Sequence, residues 1–228
     1  MKRSTAFFCG LLILVTLNGE SKAQKSPSPE KNPLSKPLND SKASTEALDP
    51  QVAIQMADDY FNSSHVMTAD FVQIGVDGRR SEGKLYVSKP GRMRFEYAQP
   101  ATIEIIADGT SVAIRDRKLQ TQEIYFLSQT PLKFLLKDEL NLKRDVTITD
   151  ITADQYYTII SIEDGTTFGG TSKIRLHFDN KTFSLTQWEV TDPQGYHTLV
   201  SLHNIDLKST PDHSLFRIPT DNIWPSPN

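Results

Sequence analysis

The sequence predicts a mainly β fold, an antiparallel meander of about ten or eleven short strands interrupted by two helical segments. Three observations lead there. From Met67 onward, apolar residues recur at every second position, the period of a half-buried strand. Asp77-Gly78, Pro90-Gly91 and Asp108-Gly109 fall between these runs and supply the chemistry of tight turns. The strands follow one another directly, without the regular helical crossovers of a βαβ fold.

The first element is a helix. Asp49 suits an N-cap and Pro50 the first helical position. Val52, Met56 and Tyr60 recur at i+4, and Ala53, Ala57 and Phe61 run beside them. Strands are then expected in order. Met67, Ala69 and Phe71 alternate with Thr68, Asp70 and Val72. Ser81, Gly83, Leu85 and Val87 alternate with Arg80, Glu82, Lys84 and Tyr86. Met93, Phe95 and Tyr97 alternate with Arg92, Arg94 and Glu96. Residues 102–107, which carry Ile103 and Ile105, residues 111–116 and residues 119–126 continue the meander. Thr130-Pro131 again reads as a helix start, followed by Leu132, Phe134, Leu135, Leu136 and Leu140, whose side chains cover more than one helical face. Strands resume at 146–152, 156–162, 173–178, 183–191 and 196–207.

The ends bound the setting. Lys2 and Arg3 precede an apolar run from Phe7 to Leu17, and Ser21-Lys22-Ala23 offers small residues where a signal peptidase cuts. Residues 1–23 are expected to be a cleaved signal peptide. The run is about half the roughly 20 residues of a membrane-spanning helix, so an anchor is the weaker reading. The only cysteine, Cys9, lies inside that run, so the mature chain has neither disulfides nor thiolates. Export without cysteine fits a bacterial periplasm. Residues 24–47 are rich in Lys, Ser, Pro and Asn and carry little to bury, so a disordered linker is expected. Residues 48–228 form the expected single domain.

Charge and motifs exclude several classes. The leader carries +2, so subtracting it from the chain's −3 leaves −5. That field gives no purchase on nucleic acid. The five histidines show no metal-ligand spacing. His197 and His203 share a strand face, but six residues set them about 20 Å apart. No nucleophile elbow or phosphate loop is present, and Asp77, Asp108 and Asp164 precede glycines as turn residues do. No enzyme and no cofactor are expected. A face carrying Phe71, Leu85, Val87, Met93, Phe95 and Tyr97 is either a solid core or a lined cavity, and periodicity does not separate the two.

A resemblance speaks to that choice. Gly83-Lys84-Leu85-Tyr86-Val87-Ser88-Lys89-Pro90-Gly91-Arg92-Met93-Arg94-Phe95-Glu96-Tyr97 resembles the periplasmic outer-membrane lipoprotein carrier family, LolA-like. Ala69-Asp70-Phe71-Val72-Gln73 precedes it, and Asp108-Gly109 follows. Thr130 to Leu136 is similar to the family's lid region, Trp188, Asp192 and Gly195 to its late hairpin, and Phe216-Arg217-Ile218-Pro219 to its terminal strand. The pieces cover roughly residues 48 to 219, in family order.

The resemblance implies an incomplete, half-open antiparallel β-barrel whose apolar cavity is covered by a helical lid. It implies Phe71, Leu85, Val87, Met93, Phe95, Tyr97, Ile103, Ile105, Leu132, Leu135, Leu136 and Trp188 as the acyl-chain lining. Lys89 stands where the family often has an arginine that closes the lid, and Arg92 or Arg94 can serve in its place. The implied partners are triacylated lipoproteins, an inner-membrane ATP-driven releasing complex and an outer-membrane receptor lipoprotein, with the carrier a periplasmic monomer. A periplasmic lipid or lipoprotein sensor on the same fold is the alternative, and a lipid-processing enzyme a more distant one.

Overall fold

A computed structural model describes residues 48–131 and 133–220. The expected leader, linker and Leu132 lie outside the described residues. Helix α1 (Pro50–Asn62) starts as its caps require: the Asp49 carboxylate accepts from the Gln51 and Val52 amides, at 2.7 and 3.4 Å. Of its two predicted apolar rows, the one carrying Ala53, Ala57 and Phe61 is buried, together with Ile54. Val52 remains 46% exposed.

Among the described residues eleven strands follow: β1 (Val66–Ile74), β2 (Arg80–Ser88), β3 (Arg92–Tyr97), β4 (Ile103–Asp108), β5 (Ser111–Asp116), β6 (Thr121–Phe126), β7 (Thr147–Ala153), β8 (Tyr157–Thr167), β9 (Gly170–Asp179), β10 (Leu185–Thr191) and β11 (His197–Asp206). They form one antiparallel sheet in the order β6-β5-β4-β3-β2-β1-β11-β10-β9-β8-β7. Two meanders thus meet at a seam between β1 and β11, where Phe71 faces Leu202 and Gln73 faces Val200. Strands β6 and β7 are the two edges and do not pair with each other, so the barrel is not closed. Register shifts in the β1–β11, β7–β8, β8–β9 and β9–β10 pairs insert bulges, which bend and twist a sheet.

Alternation buries one face. Ala69, Phe71, Leu85, Val87, Phe95, Tyr97, Ile105, Ala107, Val112, Ile160, Ile162, Ile174, Leu176, Phe178, Trp188, Val190, Val200 and Leu202 form a core with the apolar side of α1. Its centre is aromatic. Phe71 meets Phe95 and Tyr97 edge-on at centroid distances of 5.0 and 5.1 Å. Gly83, between Phe71 and Tyr97 in register, leaves room for the strands: a Cβ there would lie 2.0 Å from the Glu96 carbonyl oxygen. The Tyr97 hydroxyl donates to the Gln73 amide oxygen at 2.8 Å, so this buried hydroxyl is paired.

Two expectations are corrected. The helix expected after Thr130-Pro131 is not α-helical; the chain makes a four-residue 3-10 turn at Lys133–Leu136, then a single α-turn, α2 (Leu142–Asp145). Partners elsewhere in the fold take the backbone groups a helix would use. The Gly91 amide donates to Leu136 O at 2.8 Å, and the Asn62 side chain both donates to Leu140 O and accepts from Leu140 N. A helix of this length is marginal on its own, so tertiary bonds decide the path. The cover is therefore one helix and a short turn, not the helical lid expected. Likewise, Phe216 closes a 3-10 turn (His213–Phe216) instead of starting a terminal strand. This segment lies on the outer face, where Arg94 donates to Leu215 O at 3.2 Å.

Candidate functional site: an apolar cleft beneath the first helix

The end of α1, the starts of β1, β3 and β10, and the end of β2 enclose a cleft of about 600 Å³, counted out to its mouth. Tyr60, Phe61, Met67, Leu85, Val87, Met93, Leu135, Leu136, Leu185, Trp188 and Leu207 supply its apolar wall, with Ser64, His65 and Lys89 at its polar positions. That figure includes open solvent, and the cavity proper is only about 60 Å³. Its wall includes two methionines and several leucines, side chains that repack at low cost.

Lys89 is the charged group inside this lining. It follows the last residue of β2, and its ammonium donates to the carbonyl oxygen of Phe61, in the last turn of α1. Carbonyls in that turn lack intrahelical partners and sit at the negative end of the helix dipole, so a cation is well placed there. Burial pulls the Lys89 pKa below its usual value, and Asp138 opposes the shift only in part. One side chain therefore ties the sheet rim to the helix above the cleft.

Further bonds set the cover over that wall. Asn62 makes its paired contact with Leu140 at 2.8 and 2.9 Å, and the buried Asp58 carboxylate accepts from Leu142 N at 2.9 Å. Burial raises the Asp58 pKa against the effect of that amide. At the other end of the turn, the Lys133 ammonium lies 2.8 Å from the Asp164 carboxylate and also donates to Thr166 Oγ1. Burial of Asp164 favours its neutral form, but Lys133 and the Thr166 hydroxyl and amide outweigh it and hold the carboxyl below its usual range. Leu135 and Leu136 are thus placed by contacts to α1, to the β2–β3 turn and to β8.

The predicted lining residues divide. Leu85, Val87, Met93, Leu135, Leu136 and Trp188 face the cleft, as does Lys89. Phe71, Phe95, Tyr97 and Ile105 share the same sheet face but lie in the solid core, and Ile103 packs against its margin. Arg94 is not near the closing contact: it projects from the outer face to Glu104, at 2.8 Å. Strand alternation puts Arg92 on that same outer face. Leu132 lies outside the described residues. The sequence reading omitted Tyr60, Phe61, Ser64, His65, Val66, Met67, Leu185 and Leu207, which sit at or just beyond element ends. It also did not foresee that Glu189 gathers His177, His197 and Arg175 on the outer face, at 2.8, 3.2 and 3.2 Å. Among the described residues no cluster of His, Cys, Asp or Glu is suited to a metal ion, and no helix is long and apolar enough to cross a membrane.

The described residues thus form an unclosed antiparallel sheet with an apolar cleft beneath a helix and a 3-10 turn. Residues 62–219 match the family described as outer membrane lipoprotein carrier protein LolA, and the chain belongs to that family. An outer-membrane lipoprotein carrier protein of Methylococcus capsulatus is 27% identical over 167 residues, covering 69% of this chain and 79% of that protein. One from Dechloromonas aromatica is 24% identical over 162 residues, covering 68% and 77%. Among solved structures, a LolA superfamily protein from Nitrosomonas europaea is similar with a TM-score of 0.44 and 12% identity, over 74% of this chain and 97% of that one.

Proposed function

We propose that this protein carries the acyl chains of lipoproteins across the periplasm. It would accept cargo from an inner-membrane ATP-driven releasing complex and hand it to an outer-membrane receptor lipoprotein. The observation that carries the reading is the apolar cleft whose cover Lys89 ties to the sheet rim, in a chain that belongs to a carrier family.

Energetics support a sheltered transfer. Each buried methylene contributes about 0.8 kcal/mol, so a sixteen-carbon chain left in water forgoes on the order of 12 kcal/mol. Cargo must therefore stay covered in transit, yet leave without a comparable barrier. A cleft that adaptable side chains refill as acyl chains depart meets both needs: the protein regains apolar contact as the cargo loses it. A triacylated group exceeds the closed volume, so loading requires the cover to swing away from the rim. The Lys89–Phe61 O bond must then break, and so must the Gly91 N–Leu136 O bond if the turn moves too. The role is binding and transfer; no reaction is assigned.

The test has two levels. The mature protein should bind a fluorescent fatty-acid probe, displaced by acylated lipoprotein. Depletion in the native cell should strand outer-membrane lipoproteins at the inner membrane. A folded sample that binds neither probe nor lipoprotein would overturn the reading.

A further inference from the structure

One residue of the cleft wall carries a polar group that an apolar container does not need. Trp188 lies in the wall and is only 2% exposed, yet its indole Nε1–H is buried with no acceptor among the described residues. Buried tryptophan N–H groups ordinarily find an acceptor, and one left unpaired asks for an explanation. The indole nitrogen only donates, so its missing partner must be an acceptor. The ring is fixed: Trp188 pairs with Leu176 and Val200 in the sheet, and its ring stands edge-on to Phe95 at 6.4 Å. A tryptophan retained only for bulk could be replaced by a phenylalanine without stranding a donor.

We propose that Trp188 reads the polar junction of the cargo, donating its Nε1–H to the carbonyl oxygen of an ester- or amide-linked acyl chain. This rests on the reading that the cleft takes acyl chains, and it adds which ones. Chains joined through a neutral carbonyl are favoured over plain hydrocarbon, which offers no acceptor. They are also favoured over a free carboxylate, whose charge would have to leave water for an apolar wall. Acyl chains on a lipoprotein are attached through ester and amide carbonyls, so the donor matches the chemistry at the head of each chain. Trp188 acts as a specificity-determining residue, and the aliphatic wall supplies most of the affinity.

The test compares a long-chain methyl ester with the alkane of equal length, each displacing a fluorescent probe from the mature protein. Trp188→Phe keeps an aromatic ring and removes the donor. Loss of one hydrogen bond should weaken ester binding about threefold to tenfold beyond whatever the smaller ring costs alkane binding. In parallel, indole-labelled protein gives a Trp188 Nε1–H resonance, identified by its absence in Trp188→Phe. It should shift downfield with the ester and not with the alkane. Equal weakening of both ligands, or a resonance that neither ligand moves, overturns the proposal. The first outcome makes the ring mere packing, and the second assigns the donor to resident water. A wild-type protein that binds no probe at all overturns the carrier reading itself, an outcome distinct from both.

Discussion

The buried face of the sheet has two zones that obey different rules. Toward its middle, Phe71, Phe95 and Tyr97 lock edge to face over Gly83, and the one hydroxyl there is bonded to Gln73. Toward the rim, Met67, Met93, Leu135, Leu136 and Leu185 line open space, and a 3-10 turn with a single helix covers it. Both zones are apolar and belong to the same strands. The difference is side-chain stiffness and what lies above. Flat rings with two rotatable bonds fill space in one way, whereas methionine and leucine fill it in several. A sheet stiffened at its centre can let its rim rearrange without losing its register.

That contrast can be broken at four points. Phe71→Ala should have the largest effect, a loss of about 3–5 kcal/mol from removing a fully buried ring. Chemical denaturation measures it, and Leu135→Ala, at the half-buried rim, should cost well under half as much while admitting probe faster. Gly83→Ala comes next, at about 1–3 kcal/mol, since its Cβ must push the β2–β3 backbones apart. Equal stability of this variant and wild type would show that the centre is softer than the packing implies.

Lys89→Met tests the rim. It keeps the chain length and removes the bond to Phe61 O, so global stability should move by no more than about 1 kcal/mol. Amides of residues 133–142 and the end of α1 should exchange faster, and probe release should speed up. The smallest effect is in acid. Asp164 has a depressed pKa in the fold, so its contribution is present above the unfolded carboxylate pKa and fades as pH falls through the folded value. Exchange of residues 127–136 should therefore accelerate at low pH before the sheet unfolds, and Lys133→Met should remove most of that pH dependence.

How much of this was legible follows from the same contrast. The strands were readable because turn pairs such as Asp77-Gly78 and Asp108-Gly109 punctuate a strict period of two. That period also separated Phe95 from Arg94. It gives face, not depth along the strand, so Phe71 and Tyr97 of the solid centre were grouped with Leu85 and Met93 of the cleft. Leu185 escaped because a bulge at Leu185/Gln187 shifts the register there. Tyr60, Phe61 and Leu207 escaped because they lie at or beyond element ends. The helix expected after Pro131 failed on tertiary grounds: Gly91, Asn62 and Asp58 take the backbone groups that helical bonding needs. The resemblance singled out Lys89, but the partner of its ammonium, the main-chain oxygen of Phe61, leaves no mark in a sequence.

The seam between β1 and β11 has one more consequence. Because the halves join there, β6 and β7 are neighbours in the chain and opposite borders in space. Residues 127–146 must bridge the gap, so the chain crosses the mouth by topology, whatever its sequence. During synthesis that bridge emerges before Asp164, the residue that pins Lys133, and before β10 and β11 supply Leu185, Trp188 and Leu207. The vessel is then half-built with its opening unguarded. The last strand to arrive completes the wall, so a chain truncated before β11 should be the species most prone to capture stray lipid or to aggregate.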